Sequence, residues 1–381
     1  MKIDQVKVYK ISLPFLMDIS HALTKSASAD NIVVEVIADG GKIKGYGEGT
    51  PRKYVTGESQ FEAVENIHDI IQNNSFPWKV RDVSDIWQFI DHLPDERRYN
   101  PAICALETAL LDALGKEQRQ NIIHFFPHDF LASKIYYGGG FPLGNRQKLT
   151  EHCLQIKKMQ INKIKQKMGG NLKINKQAFE TIQHVFGDDY DLKVDANCAW
   201  DNELAQQHIP LLLKYHVKVV EQPMMPDDPN LAEFAEALKK VGIILMADES
   251  ACSFGDVEKI VEEGYYKMIN IRLSKMGGFR KSLKIIDYLR KKNLLFQIGC
   301  HLGESGILSA AGRILSLLCR DSRYYDGSYD QFLLKQNITQ ENVSFGLHGE
   351  AGPLKGPGLG VAINEQSLNQ LKLGSVYVIE R

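Results

Sequence analysis

The rhythm of hydrophobic and polar positions changes near residue 134. Before it, β-branched residues cluster at 6–11 and 32–37, and Gly40-Gly41 supplies a hairpin turn between 32–37 and 42–48. Residues 102–114 carry apolar positions at helical spacing, with Gly115 where a helix C-cap would sit. After residue 134, short apolar runs alternate with amphipathic helical stretches. The runs are 134–137, 163–168, 192–195, 217–221, 243–248, 268–273, 294–299 and 324–326. Strands alternating with helices predict a parallel sheet, and eight such units predict closure into a barrel rather than an open doubly wound sheet. The expected fold class is α/β, a (β/α)8-type barrel with an α+β capping domain. Residues 1–130 form the cap and 131–345 the barrel. The turn-rich tail 346–381, with Gly-Pro-Leu-Lys-Gly-Pro-Gly-Leu-Gly at 352–360, returns to the cap.

Composition narrows the partners. The chain has 381 residues, 44% hydrophobic and 24% charged, enough apolar sequence for a large core. With 46 basic and 47 acidic residues the net charge is −1, so no overall field favours nucleic acid or an anionic membrane. The basic run Arg290-Lys291-Lys292 reads as a solvated helix end. The six cysteines form no C-x-x-C pair, which suggests reduced thiols rather than a zinc site or a disulfide framework. The start, Met1-Lys2-Ile3-Asp4, lacks the apolar core of a secretion signal, and no apolar stretch is long enough to span a bilayer. The expectation is a cytoplasmic protein with a small-molecule partner and neither nucleic acid nor membrane.

The chemistry lies where charges interrupt the apolar runs. The second run ends in Lys165-Gln166-Lys167, the third in Asp195, the fourth in Glu221 and the fifth in Asp248. The sixth leads into Lys275 and the seventh into Glu304. From Lys167 to Glu304 these residues follow one another at steps of 26 to 29 residues, about one β/α unit. In a barrel, strand C-terminal ends converge on one face, where active sites are built. Three carboxylates brought together there repel one another unless a cation joins them, and oxygen-only ligands suit a hard ion such as Mg²⁺. Lys167 and Lys275, on the second and sixth strands, would face each other across a substrate. A lysine beside a cation has a lowered pKa and can act as a general base, with Lys165 adding to the effect. Taken singly, each residue has an ordinary reading as a solvated strand-end lysine or a helix N-cap aspartate. The ordered set carries the inference.

This set, Lys165-Gln166-Lys167, Asp195-Ala196-Asn197, Glu221-Gln222-Pro223, Asp248-Glu249-Ser250 and Lys275-Met276-Gly277-Gly278, resembles the enolase superfamily, and within it the muconate-lactonizing subgroup. Gly45-Tyr46-Gly47-Glu48 and the helix around 105–114 are similar to the family's cap. The resemblance implies a modified TIM barrel. It implies Mg²⁺, which Mn²⁺ can replace, bound by Asp195, Glu221 and Asp248. Lys167 and Lys275 become acid/base catalysts on opposite substrate faces, with Lys165 assisting. Glu304 resembles a strand-seven carboxylate of muconate-type enzymes, and Asn197 and Glu249 are supporting groups. Family members are commonly homo-oligomers, so the resemblance implies that state too.

The resemblance also implies a reaction class, proton transfer at the carbon α to a carboxylate through an enediolate or enolate. Lysine bases with Mg²⁺ are this superfamily's own pattern. Reprotonation from the opposite face gives racemisation or epimerisation, loss of a β-group gives elimination, and ring closure gives cycloisomerisation. Dipeptide epimerases of the subgroup carry D-x-D at the eighth strand to hold the substrate ammonium. Here Asp326-Gly327-Ser328 stands there, with Asp330 displaced. This departure ranks a muconate-type cycloisomerase first. A dipeptide or N-acyl amino acid epimerase or racemase, and an o-succinylbenzoate synthase-type lyase, are the alternatives. A barrel that binds without turnover is disfavoured by the intact lysine pair. A cap loop at 17–27, with His21, Thr24 and Lys25, is a candidate to bind a distal carboxylate through Lys25.

Overall fold

The computed structural model describes all residues except 22, 23 and 74, and for residues 18–25 the backbone alone. The chain opens with a long antiparallel hairpin, β1 (Ile3–His21) and β2 (Thr24–Ala38), followed by β3 (Ile43–Gly49). The segment expected as a loop at 17–27 is the paired far end of this hairpin, apart from the two undescribed residues. A register irregularity between Pro14 and Ile19 lets the strands continue past the proline. The side chain of Lys25, like those of His21 and Thr24, lies outside the described residues.

Helices α1 (Gln60–Asn73) and α3 (Asn100–Glu117) pack on this sheet, and α2 (Val83–Asp91) packs against α3. Helix α3 is buried nearly all round because it lies between the cap sheet and the barrel. Its close approach to β3 depends on glycine. Gly45, Gly47 and Gly49 share one face of the strand, and Pro101, Ala105, Ala109 and Ala113 share one face of the helix. A Cβ at Gly47 would run into Ala105 O and stand 2.5 Å from Ala109 N. Gly47→Ala is expected to cost about 3 kcal/mol, the upper end for overpacking because a backbone cannot move aside as a side chain can. Thermal melting checks this; an unchanged midpoint would remove the close-packing account. Gly115 is a correction to the sequence reading. It lies inside α3, which runs on to Glu117, and a glycine is needed there because Gly358 Cα passes 2.8 Å from where a Cβ would be.

The barrel strands are β5 (Gly139–Phe141), β6 (Lys163–Lys167), β7 (Asp191–Asp195), β8 (Val219–Glu221), β9 (Ile244–Ala247), β10 (Met268–Arg272) and β11 (Leu295–Gly299), all parallel in sequence order. The eighth position is a single parallel bridge from Ile298 to Tyr325. Tyr325 O accepts from Gly138 N at 2.9 Å, which closes the ring. The first expected strand is also corrected. β4 (Ile135–Tyr136) pairs antiparallel with β12 (Glu350–Ala351), and the barrel begins three residues later. The last strand, β13 (Tyr377–Glu380), pairs with β1 in the cap sheet.

Between strands, helices start on Asn145, Asn171, Asp201, Ser253 and Ser305. Each of these side chains accepts a first-turn N–H. Inside the ring, Val219, Met246, Met268 and Tyr324 form an apolar layer at one level. Two residues further along the same strands, parity places Glu221, Asp248, Asn270 and Asp326 on the same inner face. The apolar layer therefore floors a polar chamber at the strands' C-terminal ends. No helix among the described residues is long and apolar enough to cross a membrane.

Candidate active site

Asp195 and Glu221 end β7 and β8, Asp248 directly follows the neighbouring β9, and all three are fully buried. One oxygen of each lies within 4.8 Å of the others, so the three could hold a metal ion. Two buried oxygens, Glu221 Oε2 and Asp248 Oδ2, accept no hydrogen bond, although Lys165 Nζ lies 3.5 Å from the first and the Arg272 guanidinium lies against the second. Such atoms are costly to leave unsatisfied, and an oxygen-coordinated divalent cation would satisfy them. The donor set and these two oxygens both fit Mg²⁺.

Local backbone geometry aims these groups. After Asp195 the chain turns through Asn197 and Cys198 with positive φ, and Asn197 N donates to Asp195 Oδ1 at 3.0 Å. Gln222 has φ 36°, and its Oε1 accepts from Asp248 N and Ser250 N, fixing the next ligand strand. Asn270 Nδ2 donates to Glu221 Oε1 at 2.7 Å.

Two lysines bracket the triad. Lys167 Nζ donates to Asp195 Oδ2 at 2.6 Å and to Asn197 Oδ1 at 2.7 Å. Lys275 Nζ donates at 2.8 Å to Asp248 Oδ1, Asp248 O and Asn270 O. Strands β6 and β10 are each two strands away from β8, so the two amines stand on either side of Glu221. Burial opposes the charged form of Lys275 and lowers its pKa to about 7, against the upward pull of Cys252, Glu249 and Glu221 nearby. Burial likewise opposes ionisation of Asp195, but the charges of Lys167 and Lys165 outweigh it and hold the carboxyl at about 2.

The turn carrying Lys275 is clamped by the cap. Asn100 Nδ2 donates to Lys275 O at 2.7 Å and Cys252 O at 2.6 Å, and Thr50 N donates to Ser274 Oγ at 2.8 Å. Gly277 and Gly278 have φ of 83° and 95°, and Glu107 caps the helix that follows by accepting from Phe279 N and Arg280 N. Glu48 of β3 accepts from Ser305 and Leu308 N–H groups, tying the cap to the seventh strand's helix. Burial pushes Glu304 up to about 8, and Glu304 Oε1 accepts from His301 N at 2.7 Å.

The remaining sequence candidates have definite partners. Asp326 accepts from Lys193 at 2.8 Å and pairs with Lys165 at 2.9 Å, and these charges outweigh its burial to hold it ionised. Lys165 also stands 3.5 Å from Glu221 and 3.9 Å from Asp195. Burial would lower the Lys165 pKa, yet the surrounding carboxylates raise it well above the usual amine range. Asn197 bridges Lys167 to Glu249, whose carboxyl burial pushes up to about 7. Ser328 accepts from Arg313, and Asp330 from Asn337. Sequence reasoning missed Lys193, Gln222, Asn100 and Arg272. Lys193 had a local signal, since it shares strand parity with Asp195. Arg272 Nη2 contacts Asp248 Oδ2 and lies 3.9 Å from Glu221 Oε1.

Comparison with known proteins follows the same lines. Residues 148–367 match the family described as Enolase C-terminal domain-like. The hydrophobic dipeptide epimerase of Enterococcus faecalis is 28% identical, over 97% of each chain. A crystal structure of a dipeptide epimerase from that organism, complexed with Mg and L-Leu-L-Tyr, gives a TM-score of 0.82 at 25% identity, covering 95% of this chain and all of that one. The N-succinyl-L-Arg/Lys racemase of Bacillus cereus is 24% identical over 97% of this chain and 98% of its own. The crystal structure of the Bacillus cereus N-succinyl Arg/Lys racemase superposes over the whole of both chains with a TM-score of 0.87 at 22% identity. A muconate lactonizing enzyme from Pseudomonas fluorescens, complexed with muconolactone, shares the fold at TM-score 0.85 and 20% identity, over 98% of this chain and 99% of that one. The matched family span exceeds half the chain and contains the carboxylate triad and both lysines, so this protein belongs to the enolase superfamily and is an isomerase of its mandelate racemase and muconate lactonizing branch.

Proposed function

We infer that the protein is a racemase or epimerase acting at the α-carbon of an N-acylated amino acid, with Mg²⁺ held by Asp195, Glu221 and Asp248. The observation that carries this reading is the pair of lysines on either side of the triad, Lys167 bonded to Asp195 and Lys275 bonded to Asp248. A substrate carboxylate directed at the triad would have an amine on each face of its α-carbon. One lysine, as the neutral amine, takes the proton; the other, as ammonium, returns one from the opposite face. The bound cation, Mg²⁺ or Mn²⁺ in its place, supplies positive charge beside the carboxylate as its second negative charge develops. Asn197 orients Lys167, Asn100 orients the Lys275 turn, and Lys165 adds positive charge on the Lys167 side.

This reverses the order of the sequence reading, which ranked muconate-type cycloisomerisation first. Whole-chain relatives with epimerase and racemase names support proton transfer without ring closure, whereas the muconate lactonizing enzymes resemble the chain in fold. A dipeptide is itself an N-acylated amino acid, whose acyl part bears an ammonium group. Here Asp326 is already neutralised by Lys165 and Lys193, and Ser328 is tied to Arg313. That favours an acyl group without an ammonium, such as a dicarboxylic acyl or simple acyl chain. Proton NMR in D₂O with Mg²⁺ tests the reading against N-acyl amino acids, dipeptides, muconates and the o-succinylbenzoate precursor. Deuterium entering the α-position with formation of the other epimer is expected for N-acyl substrates. Lactone signals from a muconate, without α-exchange in any amino acid derivative, would refute it.

A further inference from the structure

Lys275 stands on a single helical turn, Leu273–Met276, strung between β10 and the longer helix Phe279–Lys291. The link to that helix is Gly277-Gly278, both at positive φ. Glycine adopts either sign of φ freely, so the link permits this path without enforcing it. Gly277 N and Gly278 N both donate to Leu273 O, which closes the turn on itself. The hydrogen bonds that tie it to its surroundings come from the cap. Asn100 Nδ2 donates to Lys275 O, and Thr50 N donates to Ser274 Oγ. The helices starting on Asn145, Asn171, Asp201, Ser253 and Ser305 are capped by those residues themselves. Phe279–Lys291 instead starts on Gly278, which has no side chain to offer, and Glu107 of α3 supplies the cap.

We propose that Glu107, together with Asn100, is a positioning residue for Lys275, so that the cap governs proton transfer on one face of the substrate and leaves the other face to the barrel alone. The inference rests on the reading that Lys167 and Lys275 divide the two faces of the α-carbon. Lys275 Nζ bonds only barrel groups, so the cap acts on it through the backbone of its turn. Lys167 lies within β6, paired with Asp195 in register, and its amine bonds Asp195 and Asn197, again barrel residues. Glu107 and Asn100 are buried, and each Glu107 oxygen accepts one first-turn N–H. Weakening either tether frees the turn to shift against the triad. A misplacement of about 1 Å can cost about 10²-fold in rate. The expected product is an enzyme that keeps both lysines, still removes and returns a proton at one epimer, and has lost that ability at the other.

The test is α-hydrogen exchange in D₂O, read by NMR on separate D and L N-acyl amino acids. The proteins are wild type, Glu107→Gln, Asn100→Leu and Ser274→Ala. Glutamine keeps the shape of Glu107 but offers one acceptor oxygen in place of two. Leucine removes the Asn100 donors at similar volume, and alanine removes the hydroxyl that Thr50 N reaches. Lys275→Met identifies which epimer Lys275 deprotonates. Each tether variant is expected to slow exchange of that epimer at least about tenfold, in kcat rather than KM, and to leave the other epimer within about threefold of wild type. Glu48→Gln is the control. It loosens the cap elsewhere, at the start of the helix after Ser305, and is expected to melt at lower temperature without skewing the two exchange rates. Unchanged or equally slowed exchange of both epimers by folded tether variants, or the same skew from Glu48→Gln, overturns the proposal and leaves the racemase reading intact. Absence of exchange at either epimer in wild type overturns both. Should the Glu107 and Asn100 variants not fold, Ser274→Ala, the smallest change of the three, decides by the same ratio.

Discussion

Replacing Lys275 or Lys167 by methionine is expected to lower epimerisation by three orders of magnitude or more while the fold survives. General acid–base groups contribute about 10²–10⁴-fold each. The upper end applies because epimerisation needs both faces, one to release the proton and one to supply it. Methionine fills most of the lost volume, and Mg²⁺ compensates the carboxylate left unpaired. The two losses differ from simple inactivation in a way that can be measured. With one lysine gone, the other still removes and returns a proton on its own face. Each single variant should therefore wash deuterium into one epimer of the substrate and not the other, and the two variants should prefer opposite epimers. NMR of separate D and L substrates in D₂O reads this directly. Exchange of both epimers by either variant would show that the lysines do not divide the faces. Because Lys275 must be neutral to accept a proton, and burial lowers its pKa to about 7, kcat/KM in the direction where it is the base should rise with pH through that region. The acid-side loss should vanish from the residual exchange of Lys275→Met.

Removal of the metal is the second large effect. Chelation by EDTA is expected to abolish turnover, and Mg²⁺ to restore it, because the α-proton of a carboxylate is too weakly acidic to leave without nearby positive charge. Glu221→Gln should reproduce the chelated state. Glu221 is the central member of the triad, fully buried, with Oε2 accepting no hydrogen bond, so neutralising it removes both charge and a ligand atom. Melting adds a readout independent of turnover. Saturating wild type with Mg²⁺ at about 100 times its Kd should add about 2.7 kcal/mol of stability, and Glu221→Gln should gain far less. Full turnover by metal-free protein would sink the assignment of Asp195, Glu221 and Asp248 as ligands.

The clamp between cap and barrel ties stability to this chemistry. Asn100 and Glu107 lie on α3, the helix that needs Gly47 to approach the cap sheet, and they hold the turn on which Lys275 stands. A cap that loosens should therefore cost alignment of one base before it unfolds the barrel. Lys167, held by Asp195 and Asn197 within the barrel, has no such dependence.

The sequence by itself determined which residues end the barrel strands. Each β/α unit repeats at a near-constant length, and the last strand residue is a local feature. Lys167, Asp195, Glu221 and Asp248 were therefore legible one unit at a time, and their convergence followed from closure of the ring. Lys275 was legible by the same spacing, although it stands on a short helix after β10. Tertiary structure alone decided the rest. Arg272 sits inside an apolar run, and which side of the strand faces the chamber is set by register within the closed barrel. The first barrel strand starts at Gly139 because β4 is claimed by β12, more than two hundred residues away. Gly115 reads as a helix end, yet α3 runs on to Glu117, and the glycine answers to Gly358 packed against it. From the sequence, Asp326 is a candidate substrate-binding residue at the eighth strand's end. Only folding brings Lys165 and Lys193 to it from two other strands and leaves it neutralised. Strand-end identity is written locally in the chain, whereas the charge balance of a buried site is a sum over groups that only the fold assembles.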